Sequence, residues 1–123
     1  MKLIEFKELK GKIIKKIEKV ENGDGGDAIK FTTDLHDIYL LTHLQDCCED
    51  VYLESITGDI NNVLNNPIIS ADVIEGECKW DDKGDIHSTF VFYEIKTVKG
   101  LITIRFNGSS NGNYSEKAEL YKI

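Results

Sequence analysis

The chain has 123 residues, 41% of them hydrophobic and 30% charged, a balance that predicts one globular domain spanning residues 1–123 and excludes a disordered tail. Its net charge of −7 is unevenly placed: residues 1–20 carry seven lysines and three glutamates, the rest eight basic and nineteen acidic side chains. A body that acidic, with Arg105 as its one arginine, repels a phosphate backbone and speaks against nucleic acid as a general partner.

No apolar run approaches the roughly 20 residues a membrane span requires, so no membrane partner is expected. The start "MKLIEFKELKGK" has no apolar stretch before a small-residue cleavage site, unlike a secretory signal. Three cysteines are an odd count, and a domain of this size does not need disulfides; a reducing cytoplasm is the expected compartment.

In chain order, "KIIKKIEKV" suits a helix or a twisted strand, and its β-branched content favours the strand. "NGDGGD" (22–27) is concentrated turn chemistry. It leads into "AIKFTT", and "DLHD" turns the chain again into "IYLLTHL", so the first forty-four residues read as a three-stranded antiparallel meander. Asp46 with Glu49 three positions later matches a helix capping box. Cys48, Val51, Tyr52, Ser55 and Ile56 then fall at helical spacing, which predicts a short amphipathic helix over 47–56, ended by Gly58. Asp59 can cap a second short turn, stopped by Pro67. "IISADVIEGECKW" is strand-like, and "STFVFYEIKTV", Lys99-Gly100 and "LITIRF" form a hairpin, with Ile102, Ile104 and Phe106 on one face and Leu101, Thr103 and Arg105 on the other. A last strand follows the loop "NGSSNGN". The sum is an α+β domain, mostly antiparallel sheet with one or two short helices between residues 46 and 66.

Structural zinc needs four N or S ligands. His43 and Cys47 could share an ion, but adjacent cysteines on a helix point about 100° apart, and Cys78, His36 and His87 are distant in sequence, so no metal site is expected. A redox pair at Cys47–Cys48 would require a vicinal disulfide; two small, half-buried residues at a helix start is the plainer reading. No nucleophile–base pair can be nominated among the three histidines, which points away from an enzyme and from a cofactor. The segment "RFNGSSNGNYSE" (105–116) is richer. It can fold into a nest of N–H groups around an anion, with Asn111 reading a base edge, Tyr114 stacking or donating its hydroxyl, and Arg105 clamping charge. From spacing alone, a plain hairpin connection whose glycines serve only the turn is the favoured reading.

"DCCEDVYLESITGDI" (46–60) and "FYEIKTVKGLITIRFNGSSNGNYSE" (92–116), in that order, resemble a family of small phage and prophage proteins long known as a domain of unknown function. The hallmarks are an acid before two cysteines, an aromatic-aliphatic acidic segment and a closing "SNGYYS"-like loop. Here Asn113 stands where the family has an aromatic. The likeness covers roughly residues 10–120. In size and motif order the chain is also similar to the anti-Thoeris sponge proteins of phages. That resemblance implies a non-enzymatic homo-oligomer in the cytoplasm of an infected or lysogenic bacterial host. It would sequester a glycocyclic ADP-ribose messenger intact in pockets at protomer contacts. The matched positions that could line such a pocket are Asp46, Cys47 and Cys48, with Arg105, Ser110, Asn111 and Tyr114. An acidic protein–protein inhibitor of a host factor is the rival expectation from the −11 balance of residues 21–123.

Overall fold

A computed structural model describes residues 1–123 and holds nine strands: β1 (Lys2–Ile4), β2 (Ile14–Glu21), β3 (Asp27–Thr33), β4 (Ile38–Thr42), β5 (Asp50–Thr57), β6 (Ser70–Trp80), β7 (His87–Thr97), β8 (Gly100–Ser110) and β9 (Glu119–Lys122). They form two antiparallel sheets, one ordered β1-β9-β4-β3-β2 and the other β5-β8-β7-β6. The meander read from the first forty-four residues is present as β2–β3–β4, and the "STFVFYEIKTV"/"LITIRF" hairpin as β7–β8.

The α+β expectation is overturned. The helical pieces are two 3-10 turns, Phe6–Leu9 and Ile60–Asn62, so the chain is an all-β two-sheet domain. The stretch 47–56, expected to be a helix, is a loop followed from Asp50 by the edge strand β5 beside β8. The false helical spacing has a physical source. A bulge between Leu53 and Ser55 shifts the phase of the strand, so Val51 and Leu53 face Gly108 and Phe106 before it, and Ile56 faces Ile104 after it. A two-residue step followed by a three-residue step imitates one face of a helix. Val51, Tyr52, Ile56 and Thr57 are strand-favouring types, and pairing with a long neighbour decides the outcome. Asp59 does cap, accepting the Asn61 N–H at 2.9 Å, but only a single 3-10 turn follows.

The core lies between the sheets. Ile29, Phe31, Tyr39, Leu41 and Leu120 of one meet Val91, Tyr93, Ile95, Ile102, Ile104 and Phe106 of the other in a single cluster. Tyr93 meets Phe6 and Phe106 edge to face at 5.4 and 5.7 Å. Each such side chain contributes about 1.5–3 kcal/mol on burial. Along β8 the even positions from Ile102 to Ser110 are buried and the odd ones face outward, which places the site residues that follow.

Candidate functional site

The alternation of β8 sets Arg105 and Ser110 on opposite faces of their sheet, about 17 Å apart along the strand. The Arg105 guanidinium lies over the Phe90 ring at 4.0 Å and near Phe92 at 5.6 Å on the outer face. Ser110 points inward, where its hydroxyl donates to the Glu116 carboxylate and accepts the Gly112 N–H at 2.9 Å. The grouping of Arg105 with the loop residues is therefore not what the fold delivers.

The other loop residues do converge. A cavity of about 210 Å³ is lined by Ser109, Ser110, Asn111 and Tyr114 on one side and by Cys48, Asp85 and Ile86 on the other. It joins three stretches, with Cys48 more than sixty positions from the 109–114 loop in sequence. Donors and acceptors are plentiful, and no lysine or arginine lines it. Tyr114 also borders a second cavity of about 220 Å³, with His87, Thr89, Glu116, Lys117 and Glu75.

Asp46 and Cys47 sit beside the first cavity and do not line it. No helix begins here, and both cysteines are exposed in the loop entering β5, linked to each other as a vicinal disulfide, so the half-buried helix-start reading is corrected. Half of the capping signature survives without its helix: the Asp46 N–H donates to Glu49 Oε2 at 2.8 Å. The Cys47 N–H reaches Glu49 Oε1 at 2.8 Å, Gln45 Nε2 the same oxygen at 3.3 Å, and His43 Nε2 lies 2.7 Å from Oε2. Burial of Glu49 opposes ionisation, but the Asp46 and Cys47 N–H groups and His43 outweigh it and hold its carboxyl at about 2, below its ordinary 4.5.

A second buried carboxylate, Glu116, closes the other end of the loop. It accepts from Thr89 Oγ1 at 2.8 Å, lies 2.7 Å from His87 Nδ1, and takes the Ser110 hydroxyl. Sequence reasoning missed both acids as organising groups. Glu49 had a signal in its three-residue offset from Asp46; Glu116, an acid closing a Ser/Asn/Gly loop, had none. His36, His43, Cys47, Cys78 and His87 do not assemble, and no group of three or more metal-ligating side chains forms. No helix is long and apolar enough to cross a membrane.

The largest cavity, about 820 Å³, lies elsewhere, between the edges formed by β1 and β6. Leu3, Ile4, Phe6, Val73, Tyr93, Ala118 and Leu120 line it, with Glu5, Glu8, Glu75 and Glu119 against the single cation Lys117. The Tyr93 hydroxyl in its wall donates to the Ala118 carbonyl, and burial raises its pKa above the ordinary phenol value. Nothing in the sequence marks this groove beyond apolar residues on two edge strands.

Residues 7–120 match the family described as "Domain of unknown function (DUF7448)". No curated protein and no solved structure matches the chain.

Proposed function

We propose a binding role for this chain, which belongs to the DUF7448 domain family: it acts as a phage-encoded sponge that sequesters a cyclic ADP-ribose-type nucleotide messenger uncleaved, blocking Thoeris defence in the host cytoplasm. The observation that carries this reading is the small cavity in which Ser110, Asn111 and Tyr114 face Cys48. Tyr114 can stack on adenine, the Asn111 amide can read a base edge or ribose, and Ser109 supplies a short donor. The cavity has no cation of its own, so the phosphates call for lysines of a neighbouring copy, and the reading includes a homo-oligomer. Exposed Lys15, on the free edge of the five-stranded sheet, is available for it.

Incubation with the glycocyclic ADP-ribose isomers should raise the melting temperature, since ligand at roughly a hundred times its Kd stabilises by about 2.7 kcal/mol. Heating should then release the nucleotide intact. Unmoved melting at saturation, or a cleaved ligand, defeats the reading. Asn111→Ala and Tyr114→Ala should each weaken binding while the fold persists. Arg105→Ala, on the far face, reports whether a second copy delivers that guanidinium to the ligand.

The acid-rimmed groove beside β1 and β6 favours a second reading, an acidic inhibitor that caps a basic protein factor. Salt-sensitive retention of a basic protein, with no response to nucleotide, is its signature.

A further inference from the structure

A disulfide between neighbouring residues closes the smallest loop a chain can make, where loop closure stabilises least. Cys47 and Cys48 are such a pair, one position apart, in a domain whose core cluster already holds 19 buried residues. Both are exposed, in the loop between β4 and β5, and exposed disulfides are the ones that thiols reach and open. The loop keeps its path without the bond. The Asp46 and Cys47 N–H groups each donate to Glu49 at 2.8 Å, and Gln45 Nε2 donates to the Cys47 carbonyl at 3.1 Å. The third cysteine, Cys78, is a free, exposed thiol on β6, at the far edge of the sheet from β5.

We propose that Cys47–Cys48 is a thiol–disulfide exchange site that takes uncharged or cationic low-molecular-weight thiols and, by opening and closing, remodels one wall of the Tyr114 cavity. An incoming thiolate bonds to one cysteine sulfur, and the electron pair of the S–S bond leaves on the other. A second thiol then displaces the first as a symmetric disulfide. Two thiols are oxidised, the pair is reduced to a dithiol, and the two thiol protons end on Cys47 and Cys48. The symmetric disulfide drives the same steps backwards. Charge selects the reagent. Exposed Asp46 and Asp50 flank the pair, Asp85 lines the same cavity as Cys48, and no lysine or arginine lines it. An anionic thiol therefore meets repulsion and a cationic one attraction. Cys48 shares that cavity with Ser109, Asn111 and Tyr114. Once untied from Cys47, its side chain turns between rotamers and ends in a weak donor, so the wall changes in shape and hydrogen bonding. The site goes beyond the nucleotide reading and stands whichever ligand enters the cavity.

The test counts alkylated cysteines in the intact, folded chain by mass spectrometry, with Cys78→Ser removing the competing thiol. Iodoacetamide should modify no cysteine in air-equilibrated protein and both Cys47 and Cys48 after a thiol. It should again modify none, with no added mass, once the thiol's symmetric disulfide is supplied. At low salt, cysteamine should open the pair at least about threefold faster than mercaptoacetate, with 2-mercaptoethanol between them, and salt should narrow the spread. Each rate is corrected for thiolate fraction and divided by the same thiol's rate with a small uncharged disulfide. Opening should shift the NMR resonances of residues 109–114 while the spectrum keeps its folded dispersion. A pair already alkylated in air, opening only in denaturant, rates independent of thiol charge, or unmoved resonances at 109–114 overturns the proposal. A Cys47→Ser/Cys48→Ser variant should fold and show no thiol response; the same shifts in it also overturn the proposal. Glycocyclic ADP-ribose isomers that bind neither form defeat the nucleotide reading and leave the alkylation counts to decide this site.

Discussion

Two buried carboxylates do most to hold the loops around the Tyr114 cavity in one shape. The Glu49 carboxylate meets four residues that precede it by two to six positions, His43, Gln45, Asp46 and Cys47, so it organises the loop that leads into β5. Replacing it by Gln keeps the size but turns an amide NH2 towards N–H groups that want an acceptor. Glu49→Gln should destabilise the domain by about 1–3 kcal/mol at pH 7, read by urea unfolding. The sign with pH follows from its depressed pKa. An unfolded Glu49 takes up its proton near 4.5 and the folded one near 2, so its contribution is complete above 4.5 and is lost as pH falls towards 2. The gap between wild type and variant should therefore narrow from pH 5 to pH 2. Gly108 illustrates the opposite kind of constraint. A Cβ there would lie 2.0 Å from the Glu116 carbonyl oxygen, a backbone atom of the segment leading into β9. Gly108→Ala should cost about 1–3 kcal/mol or more in the same assay. The glycines of "NGSSNGN" were legible as turn formers, but the close approach of another segment at Gly108 was not.

The elements differ in how firmly they are held. β7 and β8 pair over eleven residues at the centre of their sheet and give Val91, Tyr93, Ile95, Ile102, Ile104 and Phe106 to the core, whereas β1 has three residues on an edge. Native-state hydrogen exchange should find the β7 and β8 amides opening only with global unfolding, and those of β1 through low-energy local fraying. Retention of protection in β1 equal to that of β8 would contradict this. The hairpin was legible because long alternation in β-branched and aromatic residues has one good solution. β5 was not, because its bulge hides the period of two behind an apparent period of 3.6, and the Asp46–Glu49 pair forms the same hydrogen bond in a loop as at a helix start. The alternation that correctly split Ile104 from Arg105 also separates Arg105 from Ser110 by parity alone. That much of the site's geometry was already in the letters.

At the scale of the whole molecule, the last strand completes the first sheet. β9 lies between β1 and β4, pairing Leu120 with both Ile4 and Leu41. Removing residues 119–123 should therefore leave β1 without a neighbour and expose the core side of β4. The truncated chain should lose its cooperative melting transition, measured by circular dichroism, where loss of a mere tail would leave it intact. Such closure between distant parts of the chain predicts folding on the millisecond-to-second scale of all-β domains, monitored by the fluorescence of Trp80 after denaturant dilution. Nothing local in the sequence announces that residues 2–4 and 120–122 are partners.

Lys2 stands opposite Lys122 in that pairing, which has a practical side. Whatever is attached before the one and after the other departs from a single corner of the domain. The unit can thus be spliced into a surface turn of a host protein, or its ends tied by a few residues and new ones opened in the glycine-rich bend at 22–26, with little disturbance to either sheet.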